Sequence, residues 1–161
     1  MKEQFVILPD LPIVGTLKLF SKDGFSLTSI NVVNKQNSSQ LSPFFNSCYL
    51  ELAKYLSGNS RNLKIKIDMS GLTNFQTNVL KEMKKIPYGQ VASYKELAQG
   101  MNSKGYQAIG SACGKNPFFL IYPCHRVLGS KDLGGFAHGL EMKKKLLLLE
   151  ERTVHSSSGT K

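Results

Sequence analysis

Cysteine is scarce in this 161-residue chain: Cys48, Cys113 and Cys124 form an odd set with no Cys-x-x-Cys pair. That argues against a disulfide framework and against a zinc site built from neighbouring ligands, and no metal is expected. Long apolar runs are missing too. None approaches the roughly 20 residues that a membrane-spanning helix requires, so no membrane partner is expected. The start, Met1-Lys2-Glu3-Gln4-Phe5, has no extended apolar segment leading to a small-residue cleavage site and does not read as a secretory leader. The expected setting is intracellular and reducing, cytoplasmic in a prokaryote or nuclear in a eukaryote. There a cysteine is either a small core residue or a reactive thiol, and its surroundings decide which.

Acidic residues are also few, 11 Asp and Glu against 21 Lys and Arg, for a formal net charge of +10. The excess is uneven: residues 1–72 carry 8 basic against 5 acidic side chains, and residues 73–161 carry 13 against 6. Such a balance favours a polyanionic partner, nucleic acid before an anionic membrane surface.

Hydrophobic patterning divides the chain. Val14–Phe20 and Phe25–Val33 read as strands joined at Asp23-Gly24, a strong turn signal. Asn34–Gln40 is polar and reads as a loop. Ser42 and Pro43 open a helix carrying Phe44, Phe45, Cys48, Tyr49, Leu52 and Leu56, which Gly58 ends. Leu63, Ile65, Ile67 and Met69 alternate as a further strand. The first 70 residues therefore read as a small β-β-α-β unit without visible chemistry, and Cys48 falls on the apolar helix stripe.

Ser70-Gly71 reads as a joint, after which the periodicity is helical. Thr73 is positioned to cap a helix with Phe75, Val79, Leu80, Met83 and Ile86, ended by Pro87-Tyr88-Gly89. Ser93 and Glu96 have capping-box spacing ahead of Leu97 and Ala98. Ser103 is placed to cap a last short helix with Tyr106, Ile109, Gly110 and Cys113, stopped by Asn116-Pro117. The two short helices fit a helix-turn-helix, as they would fit any pair in a bundle.

Phe118–Tyr122 is an apolar run, a short buried strand or a turn, that leads into Pro123-Cys124-His125-Arg126-Val127. A cysteine between an apolar segment, an imidazole and a guanidinium meets the needs of an activated thiol, since thiolate is the nucleophile and nearby bases or cations favour it. Adjacency in sequence is equally compatible with a buried cysteine beside a histidine bonded to backbone. The pentapeptide resembles the active-site signature of the O6-alkylguanine-DNA alkyltransferases, also called methylated-DNA–protein-cysteine methyltransferases. Further segments are similar in order and spacing. They are Ile86-Pro87-Tyr88-Gly89-Gln90-Val91 with Ser93-Tyr94 and Leu97-Ala98, then Ala108-Ile109-Gly110 and Asn116-Pro117. Gly134-Gly135-Phe136, Gly139-Leu140, Lys143 and Leu146-Leu147 through Glu150 complete the match over about residues 73–151.

The resemblance implies an α+β fold in which residues 1–70 form a ribonuclease-H-like α/β subdomain packed on a helical domain, 71–152, with the helix-turn-helix. Beyond it, residues 153–161, with Ser156-Ser157-Ser158-Gly159, read from their composition as a disordered tail. The resemblance also implies direct, single-turnover DNA repair without a cofactor: a flipped O6-alkylguanine loses its alkyl group to Cys124. His125 would take the thiol proton through a water, and Glu150, with Glu151 as competitor, would orient the imidazole. Tyr94 would offset charge on the leaving guanine, and Asn116 would tie the recognition helix to the active-site turn. Arg126 would brace that turn. Val127, Phe119, Gly134, Gly135, Phe136 and Ala137 would form the substrate pocket. Gln76, Lys95, Lys104, Lys115 and Ser130 are candidate DNA contacts, and binding through them would weaken steeply with salt. The partner is double-stranded DNA bearing O6-alkylguanine, with O4-alkylthymine as a second candidate lesion, bound by a monomer.

Several positions depart from the family pattern. Gln107, preceded by Tyr106, stands where an arginine usually fills the gap left by the flipped base, and either residue is a candidate for that place. Leu80 replaces a common tryptophan, and Phe136 and Ala137 replace commonly polar residues. The Gln107 departure leaves one alternative, a protein that binds alkylated bases with weak or no transfer.

Overall fold

The computed structural model describes residues 4–129 and 132–159, with side chains as far as Ser156. The chain forms two compact units, Met1–Gly71 and Leu72–Lys161. The class is α+β, as expected, although the elements of the first unit differ from the sequence reading.

In the first unit three strands, β1 (Gln4–Ile7), β2 (Thr16–Ser21) and β3 (Ser29–Val33), form an antiparallel sheet in sequential order, followed by helix α1 (Pro43–Leu56). Strand β1 was not foreseen. Phe5 to Leu8 is a short continuous apolar run stopped by Pro9, and such a run has no period from which to assign it. The expected tight Asp23-Gly24 hairpin is a wider connection. One Asp23 carboxylate oxygen accepts from the Phe25 and Ser26 amides, each at 2.8 Å, and delays pairing until Phe20 meets Ser29. The strand expected over Leu63–Met69 is reduced to a single parallel bridge between Leu27 and Ile67. Its only ladder partner lies within that wide turn, so pairing cannot extend. Ser42 caps α1 with Pro43 in its first turn, and Cys48 is buried on the apolar face, both as expected.

The second unit contains α2 (Asn74–Lys84), the two-residue strand β4 (Ala92–Ser93), α3 (Tyr94–Gly100), α4 (Tyr106–Gly114), β5 (Val127–Leu128) and α5 (Leu140–Gly159). Thr73 caps α2 through a complete capping box with Gln76, which satisfies two otherwise orphaned amides. The Ser93 hydroxyl accepts from Glu96 N–H at 3.1 Å and starts α3. Helix α4 begins differently from expectation: Gly105 is its cap residue and no side chain caps it. The Ser103 hydroxyl is spent two residues away, accepting from Gly105 N–H at 3.1 Å. Val79, Leu80, Met83, Leu97, Ala98, Ile109 and Leu146 are all at most 3% exposed and form the core of this unit.

Two features position the site. Strands β4 and β5 pair in parallel, Ala92 with Val127 and Ser93 with Leu128, which sets the start of α3 beside the residues that follow Cys124. Helix α5 runs through Gly159, so it covers most of the segment expected to be a disordered tail. Thr153 bonds back to the Leu149 carbonyl at 2.8 Å, and Glu151 and His155 stand one turn apart, contacts that suit continued helix. Among the described residues no helix is long and apolar enough to cross a membrane.

Candidate active site

The apolar run ahead of Cys124 is a turn. Leu120 adopts φ 77° and Tyr122 N–H donates to Phe118 O at 2.9 Å. Asn116 holds this turn from inside, its amide donating to Tyr122 O at 2.8 Å and its carbonyl accepting from Phe118 N–H at 2.8 Å. The chain then enters a 3-10 turn, Cys124–Arg126, with all three side chains buried.

Behind that turn lies a closed network centred on Glu150, which is 1% exposed. Its carboxylate is 2.5 Å from His125 Nε2 and accepts from Arg126 Nε at 2.8 Å and from Gly89 N–H at 3.0 Å. Arg126 also donates to Ile86 O at 2.8 Å and so braces the turn against the end of α2, the role expected of it. Glu150 is thus the partner of His125, while Glu151 is exposed. Burial alone would raise the Glu150 pKa, yet hydrogen bonds and charges from His125 and Arg126 outweigh it and hold the carboxyl at about 2. For His125 burial is the largest influence and lowers its pKa, favouring neutral imidazole against the pull of Glu150.

These positions settle the tautomer. Nε2 faces a carboxylate and carries the hydrogen, leaving the lone pair on Nδ1. Nδ1 is buried and has no hydrogen-bond partner among the described residues. Cys124 itself is 8% exposed, and burial pushes its thiol up to about 11, opposed by a hydrogen bond from Asn116 and by the charge of Lys143. At neutral pH it is therefore a thiol, and its use as a nucleophile requires a base.

Cys124 opens onto a pocket of about 150 Å³ lined also by Tyr94, Gly110, Cys113, Gly114, Gly135, Phe136 and Ala137. Tyr94 is shared with a second, larger groove of about 610 Å³, where Ser93, Lys95, Tyr106 and Gly129 complete the lining. The expected pocket residues Gly135, Phe136 and Ala137 are at the surface of the cavity. Val127 and Phe119 are fully buried behind it, Phe119 packing on Phe136 and His138 with ring centroids 6.5 and 4.1 Å away. Gly134 shapes the wall through its backbone: with φ 71°, a Cβ there would stand 2.8 Å from Gly129 N and 3.4 Å from the Tyr94 ring. We expect Gly134→Ala to displace the wall at a cost of about 1–3 kcal/mol and to slow single-turnover chemistry at Cys124 roughly tenfold. An unchanged rate would remove Gly134 from the site.

Of the expected DNA contacts, Lys95 and Tyr106 come together in the groove, while Gln107, Lys104 and Lys115 are exposed outside its lining. The Gln76 side chain is committed to the Thr73 cap. Ser130 lies outside the described residues. The sequence reading placed Cys113 on a helix face but did not recognise it as pocket lining, and it gave Lys143 no role. Small residues on α4 offered the signal for the first, and the place of Lys143 in the family pattern offered it for the second.

A family profile described as "6-O-methylguanine DNA methyltransferase, DNA binding domain" matches residues 74–152. The methylated-DNA–protein-cysteine methyltransferase of Methanosarcina barkeri is 41% identical over 113 residues, covering 69% of this chain and 71% of that one. The probable methylated-DNA–protein-cysteine methyltransferase of Acanthamoeba polyphaga mimivirus is 36% identical over 143 residues, covering 88% and 93%. In structure, the chain superposes on Mycobacterium tuberculosis OGT in complex with DNA with a TM-score of 0.80 and 30% identity, covering 92% of this chain and 93% of that one. With likeness extending through both units of the fold, this chain belongs to the methylated-DNA–protein-cysteine methyltransferase family.

Proposed function

We propose that this protein repairs alkylated DNA by transferring the alkyl group of O6-alkylguanine to its own Cys124, once per molecule. The observation that carries this reading is the Cys124 thiol at the floor of a small pocket, with the His125–Glu150 pair, 2.5 Å apart, behind it.

The buried thiol cannot reach a stacked base, so the nucleotide must leave the duplex and enter the pocket. His125 Nδ1 takes the thiol proton through a water, and the resulting imidazolium is stabilised by the Glu150 carboxylate. Sulfur then attacks the alkyl carbon. The S–C bond forms as the C–O6 bond breaks, and the electron pair leaves with guanine. Tyr94, whose hydroxyl burial keeps protonated, is positioned at the pocket to donate toward that base. A thioether is not displaced by water, so Cys124 is not regenerated.

Residues 71–152 are the proposed DNA-binding and catalytic domain. The uncapped N-terminus of α4 suits phosphate contacts, with Lys95, Lys104 and Lys115 adding charge. Gln107 and Tyr106 are the candidates for filling the gap in the duplex. The test is intact-protein mass spectrometry after incubation with duplex DNA containing O6-methylguanine. We expect one methyl gained per protein, mapped to Cys124, with a plateau at one equivalent. Binding without a mass change would mean a lesion-binding protein, and continued turnover would mean a hydrolase.

A further inference from the structure

Cys113 is a second thiol in the site, and alkyl transfer makes no use of it. It is 5% exposed on α4 and lines the same pocket of about 150 Å³ as Cys124. Asn116 connects the two. Its backbone N–H donates to Cys113 O at 3.3 Å, its side chain donates to Tyr122 O at 2.8 Å, and the same side chain bonds the Cys124 sulfur. The end of α4 is thereby tied to the turn that carries the nucleophile. It also has room to move, since a Cβ on Gly114 would meet nothing within 4 Å. The remaining cysteine, Cys48, is buried on α1 in the other unit.

The two thiols of the pocket are unequal. Cys124 has His125 beside it as a base. Burial pushes Cys113 up to about 12, and negative charge on Cys124 opposes its ionisation further. Cys113 therefore stays a thiol, and an oxidant that enters the pocket reacts at Cys124 first. An oxidised cysteine without a partner thiol proceeds from sulfenic to sulfinic acid, which ordinary thiols do not reverse. For a protein that acts once, that step is a loss without a repaired base.

We infer that Cys113 is the resolving thiol of this site: after a small peroxide oxidises Cys124, the two cysteines close a reversible disulfide that preserves the nucleophile. In the first step His125 takes the Cys124 proton through a water, and the sulfur attacks one oxygen of hydrogen peroxide. The S–O bond forms, the O–O bond breaks, and hydroxide recovers the proton from the imidazolium. In the second step the Cys113 sulfur attacks the Cys124 sulfur. The S–S bond forms, the S–O bond breaks, and the hydroxyl leaves as water with the Cys113 proton. Two thiols and one peroxide become one disulfide and two waters, and a dithiol reductant restores both cysteines.

The inference rests on Cys124 as the reactive thiol of the proposed function, and its first readout needs no DNA. Wild-type protein is treated with hydrogen peroxide, its free thiols are blocked with N-ethylmaleimide, and its unreduced peptides are mapped by mass. The expected product is a peptide pair linked through Cys113 and Cys124, two hydrogens lighter than the separate thiols, with Cys48 still blocked as a thiol. Sulfinic acid at Cys124 beside a free Cys113, or a Cys124 disulfide between two molecules, overturns the inference. Cys113→Ala and Cys113→Ser are then compared with wild type, each relative to its own untreated methyl transfer. After peroxide and dithiothreitol, the variants should recover roughly tenfold less transfer than wild type. Equal recovery overturns the protective role, and if neither variant folds the wild-type map decides alone. Failure of untreated wild type to accept methyl from DNA would instead overturn the proposed function, and the linked peptide would still judge Cys113.

Discussion

Cys124→Ser is expected to lose alkyl transfer by a factor on the order of 10⁴ or more while keeping its fold and its affinity for DNA. The serine hydroxyl ionises far less readily than even the raised thiol, and His125, whose neutral form burial favours, is too weak a base to generate alkoxide. The fold should tolerate the change. The hydroxyl occupies less space than the thiol and can still accept the Asn116 hydrogen bond that reaches Cys124. A cost within about 1.5 kcal/mol is expected. DNA affinity should hold because Lys95, Tyr106 and the start of α4 are separate from the sulfur. The measurements are intact mass after exposure to O6-methylguanine DNA and a binding titration on the same duplex. A methyl group found on the variant would place the acceptor elsewhere, and Cys113, the other thiol lining the pocket, would be the first position to map.

Glu150→Gln should damage both stability and chemistry. The carboxylate serves His125, Arg126 and Gly89 at once. An amide presents one acceptor and turns an N–H₂ group toward donors already in place. Breaking a buried pair in this way costs about 3–5 kcal/mol, because Arg126 is left buried without its counter-charge. Transfer should fall by about 10²-fold or more, since His125 loses both its fixed tautomer and the anion that stabilises its imidazolium. Wild type should also show an acid transition with a defined sign. The Glu150 pKa is depressed on folding, from 4.5 to about 2. Its contribution is therefore present above pH 4.5 and is lost as pH falls toward 2. Urea midpoints measured from pH 6 down to 2.5 should decline through that window in wild type, with the Glu150 share of the decline missing in the variant. Parallel declines would show that other carboxylates dominate.

The turn that carries Cys124 was legible through the resemblance, whose signature is contiguous in the sequence. Pro123 through Val127 form one short turn, and Asn116 is only six residues from the carbonyl it holds. The helix starts at Ser42, Thr73 and Ser93 were legible from the residues themselves, since a cap acts on amides two or three residues away. What failed was pairing at a distance. β1 was missed because its partner β2 supplies the register that its own residues lack. The strand at Leu63–Met69 was overextended because only the Asp23 turn reveals how little of an edge it meets. Likewise the tail looked disordered from composition, whereas the backbone continues α5 through Gly159.

Cys124 shows where the two kinds of information divide. The sequence by itself determined the order of the helices and the placing of Cys124 beside His125 and Arg126, because these depend on local chemistry and spacing; the roles of nucleophile and base came from the resemblance. Glu150 as the orienting acid came from that resemblance too. Only the tertiary structure decided that Glu150, rather than Glu151, lies 2.5 Å from His125, that Cys113 shares the pocket, and that Lys143 is buried against three carbonyls. Each of those depends on which face of a helix meets a segment many residues away. Burial then turns an ordinary lysine or cysteine into a group with a changed proton affinity, and burial is a property of the packed chain.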